Sequence, residues 1–333
     1  MNVLAKMQKA IPGLSTKTFD FNSHITFNTV NINGPVHFAD FGGKGNPMLL
    51  VHGLGGAYTN WLAVGENLRK NHKVIAPDLL GFGRTYLEGR HSDLDSNVAM
   101  LEELIEQHIK EPVILMGHSM GGLVSLKLAA KRPDLVKELI LVSPATWTPY
   151  AIPNLRIAAT FLLSLRPGFG ASIARRIYKH AGAEGTIVEA LKHCTNNSEL
   201  HPEIVKANIT LEAERLGAPA PYRGFMESWR STVLYLAQPH AYENLVKQIK
   251  CPTLLLHGTE DKIIAPKSLE RLSLLRPDWS YKVMAKAAHM PQLENPVAFC
   301  DIVRSWLRAV EHKRSRFHKT TSIEGSKAFL IPG

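Results

Sequence analysis

Short apolar runs separated by turn residues recur along most of the chain, and they predict eight β-strands. The first two runs alternate apolar and polar residues across a short turn, Asn33-Gly34-Pro35, which is typical of an antiparallel hairpin at a sheet edge. The later runs are almost wholly apolar, as in parallel strands that are buried on both faces. The predicted strands are Ile25–Ile32, Val36–Phe41, Met48–His52, Val74–Pro77, Val113–Met116, Leu139–Ser143, Thr253–His257 and Tyr281–Met284.

Helical periodicity fills most of the intervals between the later strands. An alternation of strands and helices over most of a chain predicts a mostly parallel α/β sheet with helices on both faces. The predicted helices are Asn60–Lys70, Leu94–Ile109, Leu123–Lys131, Pro266–Leu275 and Pro296–His312.

The alternation is interrupted once, between Trp147 and about Gln248, where the pattern favours helices alone. An all-helical insertion between two strands predicts a lid over the strand ends. We therefore divide the chain into an α/β core (residues 1–146 and 249–312), a helical lid (147–248) and a basic C-terminal tail (313–333) without strong periodicity at its end. The predicted lid helices are Leu155–Leu165, Ala171–His180, Thr186–His193, Pro202–Leu216 and Phe225–Leu236.

A serine flanked by glycines lies at one of the predicted strand-to-helix turns. The segment is Gly117-His118-Ser119-Met120-Gly121-Gly122, which has glycine two residues before and two residues after the serine. A nucleophile on such a tight turn brings its strand and helix so close together that only small residues fit at these two positions. Ser119 is therefore the candidate nucleophile.

A serine hydroxyl needs a base to take its proton and a carboxylate to orient that base. Asp261 follows the strand Thr253–His257, and His289 follows the last predicted strand. Both therefore come just after the carboxyl end of a parallel strand, where open α/β sheets build their sites. Glu260 competes with Asp261 for the role of the acid, whereas the end of the earlier strand, Ser143-Pro144-Ala145, offers no carboxylate.

A glycine-rich turn, His52-Gly53-Leu54-Gly55-Gly56, follows the third predicted strand. Such a turn can direct a backbone amide at a developing oxyanion. We expect the amides of Leu54 and of Met120, the residue after the candidate nucleophile, to form this oxyanion hole. His52 and His118 are interpreted as supports of the two glycine turns.

Taken together, these motifs resemble those of lid-bearing α/β-hydrolases of the esterase and lipase type. The resemblance covers about residues 36–310, and it implies the α/β-hydrolase fold, a catalytic triad of Ser119, His289 and Asp261 rather than Glu260, and no cofactor. Thr85 and Ala288 depart from the common pattern without touching the chemistry. The resemblance is carried by His52-Gly53-Leu54-Gly55, Asn60-Trp61, Asp78-Leu79-Leu80-Gly81-Phe82-Gly83, the Ser119 motif, Gly258-Thr259-Glu260-Asp261 and His289-Met290-Pro291.

The predicted function is hydrolysis of carboxylic esters through an acyl-enzyme on Ser119, with monoacylglycerol-like lipids among the candidate substrates. Serine at position 119 excludes the relatives that use an aspartate nucleophile. C–C bond hydrolases and cofactor-free perhydrolases keep the same triad and are the alternative. A non-catalytic ligand-binding module on this fold is a further alternative. The substrate-binding residues are not identified, although the apolar helix that contains Phe161 and Leu162 is a candidate acyl-binding face.

Composition adds the cellular setting. The chain has 333 residues, three widely spaced cysteines without metal-ligand spacing, and no N-terminal apolar run typical of a signal peptide, so we expect no metal site and a reduced, cytoplasmic location. The net charge is +10 and is concentrated in two clusters, which favours a solvated basic surface or peripheral contact with an anionic membrane over nucleic-acid binding. The clusters are Arg175, Arg176 and Lys179, and Lys313, Arg314, Arg316 and Lys319.

Overall fold

A single mixed sheet organises the fold. The computed structural model describes residues 24–147, 169–196, 200–218 and 220–327; for 169–179 and 317–327 it describes the backbone alone. All eight predicted strands are present, with ends within three residues of the prediction. They are β1 (Thr26–Asn31), β2 (Pro35–Gly42), β3 (Pro47–Val51), β4 (Lys73–Pro77), β5 (Val113–His118), β6 (Val136–Val142), β7 (Thr253–Gly258) and β8 (Ser280–Met284).

The strand order is β1-β2-β4-β3-β5-β6-β7-β8. As predicted, β1 and β2 form an antiparallel hairpin, and β2 also pairs antiparallel with β4. Every pair from β4 across to β8 is parallel. The carboxyl ends of β3, β5, β7 and β8 therefore lie at the same edge of the sheet. The glycine-rich turn and the turns or loops of Ser119, Asp261 and His289 follow these four strands.

The apolar core has two parts, one on each face of the sheet. Along β3, Met48 and Leu50 belong to one buried cluster, whereas Leu49 and Val51 belong to the other. Successive side chains of a strand point to opposite faces, so a strand that is apolar at every position must be covered on both sides. Helices therefore pack on both faces of this sheet.

The predicted core helices are present with different ends, and the short helix Pro291–Glu294 was not predicted. The helix predicted to start at Leu123 begins at Met120, directly after Ser119, and the long helix predicted from Leu94 changes to a π-helix over Leu104–Ile109. A single 3₁₀ turn, Tyr58–Trp61, precedes α1. The core helices are α1 (Leu62–Leu68), α2 (Leu94–Glu103), α3 (Met120–Lys131) and, after the insertion, α8 (Pro266–Leu275), α9 (Pro291–Glu294) and α10 (Pro296–Lys327).

Between β6 and β7 the chain forms a helical insertion, and its described residues include no strand. Two helices predicted separately are merged into α4, which has a non-helical residue at Gly182, and α7 was not predicted. The predicted helix Leu155–Leu165 lies outside the described residues. The insertion helices are α4 (Phe169–Cys194), α5 (Pro202–Leu216), α6 (Arg223–Leu236) and α7 (Pro239–Lys247).

The prediction that the last helix ends at His312 was wrong, because the backbone of α10 remains helical to Lys327. Arg314 on this helix forms an ion pair with Glu138 and donates to the Lys137 carbonyl (3.0 Å). At least this part of the basic C-terminal segment is therefore fixed to the start of β6. Across the described ranges, no helix combines the length and apolar composition that a membrane crossing requires.

Candidate active site

Ser119 lies on a sharp turn between β5 and α3. Its backbone angles, φ 52° and ψ −120°, are unusual for a residue other than glycine. The Ser119 carbonyl accepts the amides of Gly122 (2.9 Å) and Ala145 (2.8 Å), while its own amide donates to Val142 (3.0 Å). These bonds hold the strained turn in place, and the serine side chain is half-buried.

The two glycines that flank this turn are needed because backbones pass very close to them. A Cβ atom on Gly117 would lie 2.4 Å from the Gly121 carbonyl oxygen, and one on Gly121 would lie 2.3 Å from the His52 carbonyl oxygen. Cβ atoms do not approach backbone this closely without displacing it. The structure thus has the close strand-to-helix packing that the sequence predicted.

The candidate oxyanion turn is fixed by its own hydrogen bonds. His52 Nδ1 donates to the Gly53 carbonyl (2.8 Å), which also accepts the Gly56 amide (3.0 Å). The Leu79 amide donates to His52 Nε2 (2.9 Å), so this histidine is neutral and carries its proton on Nδ1. Burial also lowers the pKa of His52. These hydrogen bonds agree with the predicted role of His52 as a support of the glycine turn.

No hydrogen bond among the described residues uses the amides of Leu54 or Met120. The Met120 amide is the first of α3, and the first amides of a helix have no partner within it. The expected oxyanion hole needs both amides without a partner of this kind.

Asp261 and His289 are in direct contact although they are 28 residues apart. His289 Nδ1 donates to Asp261 Oδ2 (2.8 Å), and Asp261 Oδ1 accepts the amides of Ile263 (2.8 Å) and Ile264 (2.9 Å). Burial by itself would raise the pKa of Asp261, but the hydrogen bonds from His289 and the Ile264 amide outweigh it, so that pKa lies below its usual value. Asp261 is therefore an anionic acceptor that orients the His289 ring.

Glu260, the competing acid, is bonded elsewhere. Its carboxylate accepts from the side-chain amide of Asn196, which lies just after the end of α4. Its backbone amide donates to the Ala287 carbonyl (2.9 Å). The geometry thus distinguishes two neighbouring acids that the sequence alone separated only by family resemblance.

His118 connects the serine turn to the histidine loop. Its Nε2 lies 2.9 Å from the His289 carbonyl oxygen, and the two ring centroids are 4.8 Å apart. Because a carbonyl only accepts, Nε2 carries the proton. Burial and then the nearby His289 lower the pKa of His118 to about 3, which keeps it neutral. His118 therefore joins the strand that ends before Ser119 to the His289 loop without adding a charge.

His257, at the end of β7, was not singled out by the sequence analysis. Its side chain is fully buried, and its Nδ1 lies 3.7 Å from Asp261 Oδ2. Burial lowers the pKa of His257 to about 4, although Asp261 opposes this shift. The spacing of four residues between His257 and Asp261 was the only signal of this proximity in the sequence.

Asp78 anchors the turn that contains Arg84. Its carboxylate accepts the amides of Tyr58 (2.8 Å) and Arg84 (3.0 Å), and it contacts His37 Nδ1 (2.7 Å). The Arg84 guanidinium does not pair with it. Instead, that guanidinium binds the Glu214 carboxylate through two bonds (2.8 and 3.0 Å), which joins this turn to α5.

Phe225 on α6 approaches the candidate oxyanion turn. A Cβ atom on Gly55 would lie 3.3 Å from the Phe225 ring. Close backbone contact between Gly224 and Gly81 holds the start of α6 against the core. Phe161 and Leu162, the predicted acyl-binding candidates, lie outside the described residues.

Known proteins agree with this fold. A family model of the alpha/beta hydrolase fold matches residues 46–296, and the chain therefore belongs to the α/β-hydrolase family. A 2-hydroxy-6-oxo-2,4-heptadienoate hydrolase of Pseudomonas putida is 27% identical over 274 residues, which cover 80% of this chain and 91% of that protein. Lipase 1 of Psychrobacter immobilis is 26% identical over 279 residues, which cover 81% of this chain and 79% of the lipase.

Solved structures give the same result. A thermophilic esterase from Thermogutta terrifontis, crystallised with malate, superimposes with a TM-score of 0.63 at 25% identity. The match covers 86% of this chain and 99% of the esterase. The protein is thus a hydrolase of this family, whose members named here act on different substrates.

Proposed function

We propose that the protein hydrolyses carboxylic esters, as an esterase or lipase, with Ser119, His289 and Asp261 as its catalytic triad. The observation that carries the proposal is the strained Ser119 turn at the same sheet edge as the Asp261–His289 hydrogen bond. The similarity to a lipase and to an esterase supports it. Monoacylglycerol-like lipids remain candidate substrates.

In the proposed reaction, His289 Nε2 takes the proton of the Ser119 hydroxyl while the serine oxygen attacks the ester carbonyl carbon. The carbonyl oxygen becomes an oxyanion, which the amides of Leu54 and Met120 stabilise. Asp261 holds the ring with Nδ1 protonated and stabilises the imidazolium. The intermediate collapses to an acyl-enzyme, and His289 returns the proton to the departing alcohol.

In the second half, His289 removes a proton from water, whose oxygen attacks the acyl carbon. The carboxylic acid leaves, and the proton returns to Ser119. We further propose that the helical insertion is the lid of this site. The approach of the Phe225 ring to Gly55 supports this, since it brings the insertion near the oxyanion turn.

Hydrolysis of a C–C bond is the second candidate, because the similar Pseudomonas putida protein is a 2-hydroxy-6-oxo-2,4-heptadienoate hydrolase. The same serine, base and oxyanion hole would serve that reaction. The two candidates differ in the substrate that the insertion admits.

The test compares the wild type with Ser119→Ala on p-nitrophenyl esters from acetate to palmitate and on a 2-hydroxy-6-oxo-dienoate. We expect ester turnover that falls by about 10⁴-fold or more in the variant. Turnover of the dienoate alone would select the C–C hydrolase. Equal ester turnover by the two proteins would contradict a Ser119 acyl-enzyme.

A further inference from the structure

The loop that carries His289 is held at three consecutive residues. The Ala287 carbonyl accepts the Glu260 amide (2.9 Å), and the Ala288 amide donates to Glu294 Oε1 (2.8 Å). The His289 amide donates to the Cys194 carbonyl (3.0 Å). Hydrogen bonds to other segments therefore fix the backbone of Ala287, Ala288 and His289.

One of these contacts reaches the end of α4 in the helical insertion directly, and a second is linked to it through Glu294. Cys194 is the last residue of α4, and the last carbonyls of a helix have no donor within it. The His289 amide uses the carbonyl of Cys194. Glu294 reaches the same segment, because its Oε2 accepts the Asn196 amide (3.0 Å).

Oε1 of Glu294 therefore accepts a backbone amide of the histidine loop, and Oε2 accepts a backbone amide of the segment after α4. A carboxylate fits this place because it has two acceptor oxygens and no hydrogen. Hydrogen bonds to an ionised acceptor are also roughly twice as strong as neutral ones. A glutamine could satisfy only one of the two amides and would turn an N–H group toward the other.

We propose that Glu294 is a positioning residue of the hydrolase site, which holds the His289 loop against the end of α4 so that the imidazole keeps its hydrogen bond to Asp261. This inference rests on the proposed function of His289 as the base. It also makes the alignment of His289 depend on the insertion, since a displacement of α4 would remove the contacts of both Cys194 and Asn196.

The experiment uses Glu294→Ala, Glu294→Gln and a control, Glu243→Ala. Glu243 on α7 pairs with Arg271 on α8 (2.6 Å) and is partly buried, so its loss reports the general effect of removing a glutamate. Turnover of a p-nitrophenyl ester is measured with the thermal midpoint of each protein. A low-field proton NMR resonance reports the His289–Asp261 hydrogen bond, and its absence from Asp261→Asn identifies it.

We expect Glu294→Ala to lower kcat by about ten- to a hundredfold with little change in KM, because a small displacement of a catalytic group has effects of this size. Its low-field resonance should broaden or disappear. Glu294→Gln should lie between Glu294→Ala and the wild type, since it keeps one acceptor, and it serves alone if the alanine variant does not fold. Glu243→Ala should keep both the turnover and the resonance.

A wild-type resonance and kcat in the Glu294 variants would overturn the inference, even if their thermal midpoints fall. Turnover that survives Ser119→Ala would overturn the proposed function instead. The NMR resonance would still decide whether Glu294 positions His289, because it does not depend on the identity of the substrate.

Discussion

At the scale of single residues, the carboxylate of Asp261 is the most heavily used group of the site. One oxygen accepts two backbone amides, and the other accepts His289 Nδ1 and lies 3.7 Å from His257. The carboxylate is nearly inaccessible to water, with 4% of Asp261 exposed. In such an environment its charge acts strongly on both imidazoles.

Asp261→Asn should lower kcat for the ester substrate by about 10⁴-fold. The amide keeps the shape of the side chain but loses the charge and permits the wrong tautomer of His289. Glu260→Gln is the matched control, because Glu260 binds Asn196, and it should keep turnover within a few-fold of the wild type. Steady-state kinetics of the two variants checks this, and the opposite ranking would make Glu260 the acid.

His257 should make the protein less stable in acid. Its pKa in the folded state is about 4, below the ordinary value of 6.5, so between these values the unfolded chain binds a proton that the folded chain does not. The free energy of unfolding is therefore undiminished by this histidine above about pH 7, and it declines as the pH falls toward 4. At pH 5 the loss amounts to about 2 kcal/mol of unfolding free energy.

Urea unfolding of the wild type and of His257→Gln, at about pH 7.5 and pH 5, isolates this effect. His52 and His118 are present in both proteins, so their contributions cancel. The variant should lose about 2 kcal/mol less than the wild type over this interval. An identical loss in both would mean that His257 is protonated, or exposed, in the folded protein.

At the scale of elements, helix α6 connects the helical insertion to the core through polar contacts. Glu227 accepts the Ser92 amide (2.9 Å), and the Ser231 hydroxyl accepts the Leu94 amide (3.1 Å). The hydroxyls of Ser228 and Ser92 also contact each other (2.7 Å). These bonds fix α6 against the segment that leads into α2. They also hold Phe225, on the same helix, near Gly55.

Phe225→Ala should shift the preferred ester toward longer or bulkier acyl groups, because it removes an aromatic ring beside the oxyanion turn. We expect the ratio of kcat/KM for long and short esters to change by about tenfold. Leu234→Ala, on the same helix but 45% exposed, is the control and should leave the ratio unchanged. An unchanged ratio in the Phe225 variant would place the acyl group elsewhere.

At the scale of the whole molecule, the C-terminal helix α10 contacts a strand that lies far from it in the sequence, β6. Arg314 pairs with Glu138, which is 176 residues earlier and only 3% exposed. Burial raises the pKa of Glu138, and the nearby Arg314 opposes that shift. One member of the basic tail cluster is therefore engaged in the fold.

Arg314→Ala should lower the free energy of unfolding by about 1–3 kcal/mol, because it leaves a buried carboxylate without its charged partner. Lys313→Ala, which removes an exposed charge from the neighbouring position, should change it by less than about 0.5 kcal/mol. Urea unfolding at neutral pH measures both. Equal effects would show that the Glu138 pair contributes nothing to stability.

Much of this molecule follows from local sequence patterns. All eight strands were predicted, because a strand that is apolar on both faces and ends at turn residues has few other places in a fold. The Ser119 turn was predicted for a different reason, because the close approach of backbones there requires glycines at a fixed spacing. The helices of the insertion were less well predicted. Helix α7 was missed because its 9 residues are fewer than the roughly 11–18 residues over which a helical period shows clearly.

By itself, the sequence determined the sheet, the serine turn and the positions of Asp261 and His289 after their strands, since each depends on residues close together in the chain. Only the tertiary structure decided which acid meets His289, that His257 lies behind that acid, and that Glu294 joins the histidine loop to α4. These contacts link segments up to 98 residues apart, as Asn196 and Glu294 are. Such distances carry no periodicity, so only the packing of the chain brings these groups together.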